Sequence, residues 1–159
     1  TSEYILKNIE EIASFAEKLK TETTGLNDEQ LDTPYRPEGW TVRQVIHHCA
    51  ESHKNCYIRL KWALTENNPI IKPYDEKMWS ELPDSLTMPI APTLSLLEGL
   101  HFRLAYIMKN LSNIDLEKSF IHPESNSEMR LKQIIGLYAW HGNHHLAHIV
   151  NLKKYKGWK

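Results

Sequence analysis

The sequence predicts an all-α fold, a four-helix bundle, on three observations. Four long segments carry apolar residues at the helical period of about 3.6. Strand signals are sparse, and only six glycines punctuate the chain. With 159 residues and 41% hydrophobic content, residues 1–159 suffice for a single domain with its own core.

The first segment runs from about Ser2 to Lys20, with Ile5, Ile9, Ile12, Ala16 and Leu19 on one face, and stops near Gly25. The second starts after Pro37 and Gly39, where Thr41 and Gln44 form a capping-box pattern, and continues to about Glu66 with Val42, Ile46, Cys49, Cys56, Leu60 and Leu64 on its apolar face. The third covers Thr93 to Leu111. The fourth covers Leu131 to Tyr155, with Lys153, Lys154 and Lys156 complementing the helix dipole and Gly157 available to stop it. Between the second and third lies a long connection, residues 67–92, with five prolines and the aromatics Tyr74 and Trp79. Connections of this length serve as functional covers or linkers; the aromatics favour a cover, with a short helix near Asp75–Leu82. It also frees the bundle from simple up-down order. Before the fourth helix, Ser119–Pro123 and Glu128–Leu131 suggest a small hairpin.

Nineteen basic against twenty acidic side chains leave a net charge of −1, which argues against nucleic acid as a partner. No apolar run is long enough to span a membrane, and the N-terminal stretch lacks the character of a secretory signal. Cys49 and Cys56 read as reduced thiols of a cytoplasmic protein, filling space as small hydrophobes.

Histidine is abundant, with nine copies, four of them within residues 141–148. Setting His141 at zero on a helical wheel places His145, His148 and His144 at about +40°, −20° and −60°, in one sector with Ile134, Leu137 and Leu152. The wheel takes that sector as the core side. Histidines at i and i+4 chelate one ion, so His141/His145 and His144/His148 are candidate pairs. A further ligand would come from the second helix. There the wheel prefers His53, with His48 second and His47 pointing to solvent. His101 on the third helix is another candidate, although a hydrogen-bonded core histidine is the commoner reading. His122 is expected at the surface or rim.

Three stretches carry a family resemblance: Leu31-Asp-Thr-Pro-Tyr-Arg-Pro-Glu-Gly-Trp-Thr-Val-Arg-Gln-Val-Ile-His-His-Cys-Ala-Glu-Ser-His53, Tyr138-Ala-Trp-His-Gly-Asn-His-His-Leu-Ala-His-Ile149, and the pair Tyr57–Glu66 and Ile71–Leu82. Together they resemble the DinB/YfiT-like superfamily, and most closely its YfiT-type metal-dependent hydrolases. The resemblance implies a four-helix fold that carries one divalent metal on three histidines, here His48, His141 and His145. It thus overrules the wheel's preference for His53 and leaves His144 and His148 in supporting or structural roles. It also implies a homodimer and an N-terminal arm preceding residue 1. Glu51 stands where the family often has Asp, and Cys49 where Leu is usual.

Three neutral imidazoles suit Zn2+ best, with Ni2+, Fe2+ or Mn2+ as alternatives. Three functions follow. One is metal-dependent hydrolysis of a small substrate. Another is transfer of a low-molecular-weight thiol such as bacillithiol, implied by other branches of the superfamily. The third is a non-catalytic metal-binding or interaction module, which a fourth protein ligand (His53, His144 or Glu51) would favour. Spacing identifies no firm general base, with Glu51, Asp75 and Glu76 as candidates, and Ser52 and Ser80 have no better claim as nucleophiles. Trp140, Trp62, Trp79 and Tyr74 are candidate pocket walls.

Overall fold

The computed structural model describes residues 2–159. Four long helices dominate it: α1 (Glu3–Thr23), α3 (Val42–Thr65), α6 (Ala91–Lys109) and α8 (Leu131–Lys156). Four short helices decorate the connections: α2 (Asp28–Leu31), α4 (Glu76–Ser80), α5 (Pro83–Leu86) and α7 (Asn113–Leu116). An antiparallel hairpin of β1 (Ser119–His122) and β2 (Ser127–Arg130) pairs Phe120 with Met129 and leads directly into α8.

The helix ends follow local chemistry. Ser2 caps α1, its side chain accepting from the Ile5 amide. Thr41 and Gln44 form the expected reciprocal capping box, with bonds of 3.1 and 2.9 Å that satisfy two of the amides a helix start leaves free. Gly157 ends α8 at φ 67°, a left-handed position that suits glycine. The short helix foreseen near Asp75–Leu82 is α4, capped by the Asp75 carboxylate. The sequence pattern had given no notice of α2, α5 and α7, each a single turn.

Helices α1 and α3 each pack against both α6 and α8. The first two long helices therefore sit diagonally across the bundle, and simple up-down order is broken as the long connection permits. That connection does not hang free. It bridges to the hairpin at Ile70 and Ile121, then runs α4 and α5 along α3. As a result α3 is buried nearly all round from Val42 to Ala50, polar residues included. Arg43 reaches Asp28, Asp32 and the Met88 carbonyl, and Gln44 donates to the Ser80 carbonyl.

Two apolar clusters form the core. One gathers Ile9, Ile12, Cys56, Leu60, Leu104 and Ile135; the other gathers Phe15, Val45, Ile46, Cys49, Leu97 and Ile149. Gly142 explains how α8 joins them. It lies against the Phe15 ring so closely that a Cβ would come within 2.9 Å of Cδ2. On the α8 wheel the core axis therefore passes through Gly142, Ile149 and Leu131, about 80–100° from His141. The histidine sector is the flank of the core and not its centre. His144 is accordingly exposed, and Leu137 is 42% accessible.

Gly142 and Gly99 make a paired test. Both are helical, but nothing lies within 4 Å of a Cβ at Gly99. Gly99→Ala should gain up to about 1 kcal/mol of stability from helix propensity. Gly142→Ala should lose about 1–2 kcal/mol, because overpacking against Phe15 outweighs the same gain. Denaturant unfolding of the two variants reads the opposite signs.

Candidate metal centre

His48, His141 and His145 converge. One ring nitrogen from each lies within 4.8 Å of the other two, and among the described residues no other His, Cys, Asp or Glu group of three or more does the same. His48 comes from the wrapped face of α3; His141 and His145 come one turn apart from the flank of α8. His48 Nε2 and His141 Nε2 are 3.2 Å apart. Two imidazoles bound to one tetrahedral ion at about 2.0–2.1 Å would hold their nitrogens roughly 3.3 Å apart, so this pair already has the spacing of two ligands. His145 Nδ1 is buried with no hydrogen-bond partner, a polar atom the protein leaves unanswered. The donor set and its spacing fit a divalent cation with nitrogen preference.

Electrostatics agree with that donor role. Burial, followed by neighbouring imidazoles, lowers His48, His141 and His145 to about 3. All three rings are neutral near physiological pH and keep a lone pair, as metal ligands must.

The remaining histidines divide by place. His53, which the wheel preferred, is absent from the convergent group. It sits five residues beyond His48, more than a turn along α3, and its rings of contact are His101 and His141, at 2.6 and 3.0 Å. His101 is the satisfied core histidine expected of it, with Nδ1 2.7 Å from the Ile12 carbonyl. His47 corrects the wheel outright, for it is buried. Its Nε2 donates to the Met88 carbonyl at 3.0 Å, so its Nδ1 accepts from the Thr93 hydroxyl at 2.8 Å. The wheel failed there because the long connection covers the face that an isolated helix would show to water. His144 stacks on Trp140 and His148 on Tyr35, both at the rim. His122, at the end of β1, is half-buried away from this cluster.

The cluster opens into a cleft of about 400 Å³ whose walls include Trp40, Trp140, Tyr35 and Glu76. Trp40 was not foreseen as a wall, although its place just before the Thr41 cap fixes it there. Its ring lies 4.6 Å from that of His48. Trp140 lines the cleft as expected. Trp62 is elsewhere, on the exposed side of α3, and Trp79 packs on Tyr74. Of the candidate bases, Glu51 faces α5, where it accepts from the Ser85 hydroxyl at 2.9 Å, and it is not part of the cleft wall. Asp75 is occupied as the α4 cap. Glu76, in the first turn of α4, is the one that reaches the cleft, and desolvation raises its carboxyl above the ordinary value. The Ser80 hydroxyl donates to the Lys77 carbonyl. Cys49 and Cys56 are buried free thiols, and burial pushes Cys49 up to about 12, so neither offers a thiolate. No helix among the described residues is long and apolar enough to cross a membrane.

The fold and the cluster define a helical-bundle protein able to gather three imidazoles around one cation. Residues 14–149 match the family model of the DinB superfamily, and the chain belongs to that family. A relative from Oceanobacillus iheyensis named “Putative metal-dependent hydrolase” is 57% identical over 150 residues, covering 94% of this chain and 86% of its own. One of the same name from Bacillus mycoides is 51% identical over 158 residues, covering 99% and 90%. The structure of YfiT from Bacillus subtilis, described as “a probable metal-dependent hydrolase with an unusual four-helix bundle topology”, superposes with a TM-score of 0.98 at 45% identity, covering all of this chain and 91% of that one. The diagonal arrangement of α1 and α3 accords with that description of topology.

The cluster should betray itself in acid. A histidine whose folded value lies below its unfolded value of 6.5 binds protons preferentially in the unfolded chain. Its stabilising contribution is complete above that value and drains away as the pH falls toward 3. The metal-free protein should therefore lose up to about 1.4 kcal/mol per pH unit for each such ring below about pH 6. Thermal melts from neutral pH downward test this; a Tm flat from pH 7 to 5 would contradict it.

Proposed function

We propose that this protein is a metal-dependent hydrolase of a small substrate, with a single divalent ion held by His48, His141 and His145. The observation that carries the reading is a three-donor cluster that opens into a cleft instead of being closed by a fourth protein ligand. Closed four-ligand sites are structural, whereas three protein ligands with an open position characterise catalytic ones. None of His53, His144 and Glu51 joins the convergent group: His53 is bonded to His101 and His141, His144 stacks on Trp140 at the rim, and Glu51 accepts from Ser85. Zinc is the ion that three imidazoles suit best.

When bound, the ion would supply Lewis acidity at an open coordination position. The residues do the rest. Three neutral ligands leave its positive charge undiminished. Trp40 and Trp140 give the cleft flat apolar walls that shed water and hold the body of a substrate. In this reading Glu76, the candidate base that lines the cleft, takes a proton from attacking water, a role that the desolvation raising its carboxyl supports. The YfiT-like relatives carry names that agree with this activity.

Metal content and turnover test the proposal together. Protein purified without chelator should carry about one divalent ion per chain by mass spectrometry, and His48→Ala, His141→Ala and His145→Ala should each lose it. Glu76→Gln should keep the ion while hydrolysis of a panel of amide and ester substrates falls roughly 10²–10⁴-fold. A parent that carries no ion and takes up no zinc would end this reading. Full activity in Glu76→Gln would remove Glu76 from the chemistry.

A further inference from the structure

Behind His141 stand three residues outside the ligand set, in single file. The Ile12 carbonyl lies 2.7 Å from His101 Nδ1. His101 Nε2 lies 2.6 Å from His53 Nδ1, and His53 Nε2 lies 3.0 Å from His141 Nδ1. Each contact accommodates one proton, and the far end dictates where every proton sits. A backbone carbonyl only accepts, so His101 carries its proton on Nδ1 and, as a neutral ring, offers a lone pair at Nε2. His53 must then donate from Nδ1 and accept at Nε2. His141 in turn must donate from Nδ1, which leaves its Nε2 bare. That is the nitrogen lying 3.2 Å from His48 Nε2 in the convergent cluster.

We infer that His101 and His53 are positioning residues that relay the acceptor character of the Ile12 carbonyl through two imidazoles, locking His141 in the Nδ1–H tautomer with its Nε2 lone pair turned to the metal position. Outer hydrogen bonds of this sort normally come from one carboxylate or carbonyl touching the ligand directly. Here the fixed acceptor is two rings away, on a different helix. The file orients and does not conduct, because its inner end is a peptide carbonyl that can neither release a proton nor pass one on.

Packing alone is the competing explanation, since Phe15 lies against both rings, with centroids 5.3 Å from His53 and 4.9 Å from His101. Two substitutions separate the readings. His101→Phe keeps an aromatic ring at the position and removes the acceptor. His53 is then free to reverse, donating from Nε2 to His141 Nδ1 and leaving the His141 proton on Nε2, where it blocks the metal. His101→Gln retains a side-chain oxygen able to accept from His53. Loss of packing alone leaves the His53 and His141 tautomers unchanged; tautomer control reverses them in His101→Phe and keeps them in His101→Gln.

The test uses metal-free protein labelled with 15N-histidine and read by long-range 1H–15N correlation, followed by zinc titration against a chromogenic chelator. The parent should show His101, His53 and His141 all protonated on Nδ1. In His101→Phe the His53 and His141 patterns should shift toward Nε2–H and zinc affinity should fall about 10–100-fold. His101→Gln should stay close to the parent in both. The affinity arm rests on the metal site proposed above, whereas the tautomer arm needs no metal. A parent that fails to bind zinc therefore overturns the site, while its tautomers still decide this inference. His141 protonated on Nε2 in the parent would overturn it, as would a His101→Phe protein with unchanged tautomers and unchanged affinity.

Discussion

Burying a polar ring in an apolar bundle is the constraint on which the rest of this structure depends. Histidines occupy the level between the two apolar clusters, and each buried nitrogen left without a partner costs about 1–3 kcal/mol. The file from Ile12 through His101 and His53 to His141 meets that demand with one residue from each long helix: α1, α6, α3 and α8 in turn. Its contacts are short enough that a slip of any helix along its axis, by even one residue, would break a link. Apolar contacts tolerate such a slip more readily because they are not directional. The polar layer therefore sets the register of the bundle, and the apolar clusters on either side supply the bulk of the adhesion.

The long connection completes what the bundle begins. Were residues 67–92 a short turn, α3 would expose Arg43, Gln44 and His47 to water and would behave as an ordinary amphipathic helix. Wrapped instead by α4 and α5, that face meets the Ser80 and Met88 carbonyls of the connection, while Thr93 of α6 and the acids Asp28 and Asp32 at α2 complete its pairing. The same wrapping carries Glu76 to the cleft and engages Glu51 through Ser85. One segment thus stiffens the helix that presents His48 and brings a carboxylate to the cleft wall. Pro83, at the start of α5, helps hold it in shape.

Much of this was legible in the sequence, and the failures have physical causes. The four long helices, the Thr41/Gln44 cap and the hairpin follow from periodicity and local hydrogen bonding, which need no tertiary information. The wheel on α8 misplaced the core because its true centre is Gly142, a residue with no apolar side chain to count. The wheel on α3 misplaced His47 because burial by a distant connection leaves no trace in helical period. His53 looked like a ligand because a buried histidine and a ligand have the same signature on a wheel. The family resemblance pointed to His48, His141 and His145, the three the fold brings together, but it did not single out Trp40. Glu76 was one carboxylate among three until the fold placed Glu51 against Ser85 and Asp75 at a helix cap.

The three convergent histidines are not equivalent, and the difference bears on how the site would work. His141 is held from behind by a hydrogen-bonded file that passes through α3 and α6 and ends on the Ile12 carbonyl of α1. His48 is packed against the tilted Trp40 ring, while His145 has one nitrogen that no protein group satisfies. A cation entering such a site meets one ligand already oriented by a directional bond, one held by shape, and one whose ring is the least constrained. Much of the ordering entropy is therefore lost during folding and not during binding. The His145 ring lines the open cleft, close to His144 and His148 at the rim. Directional bonds inside and an unpaired ring toward the mouth would let a bound cation's coordination adjust without disturbing the layer that keeps the helices in register.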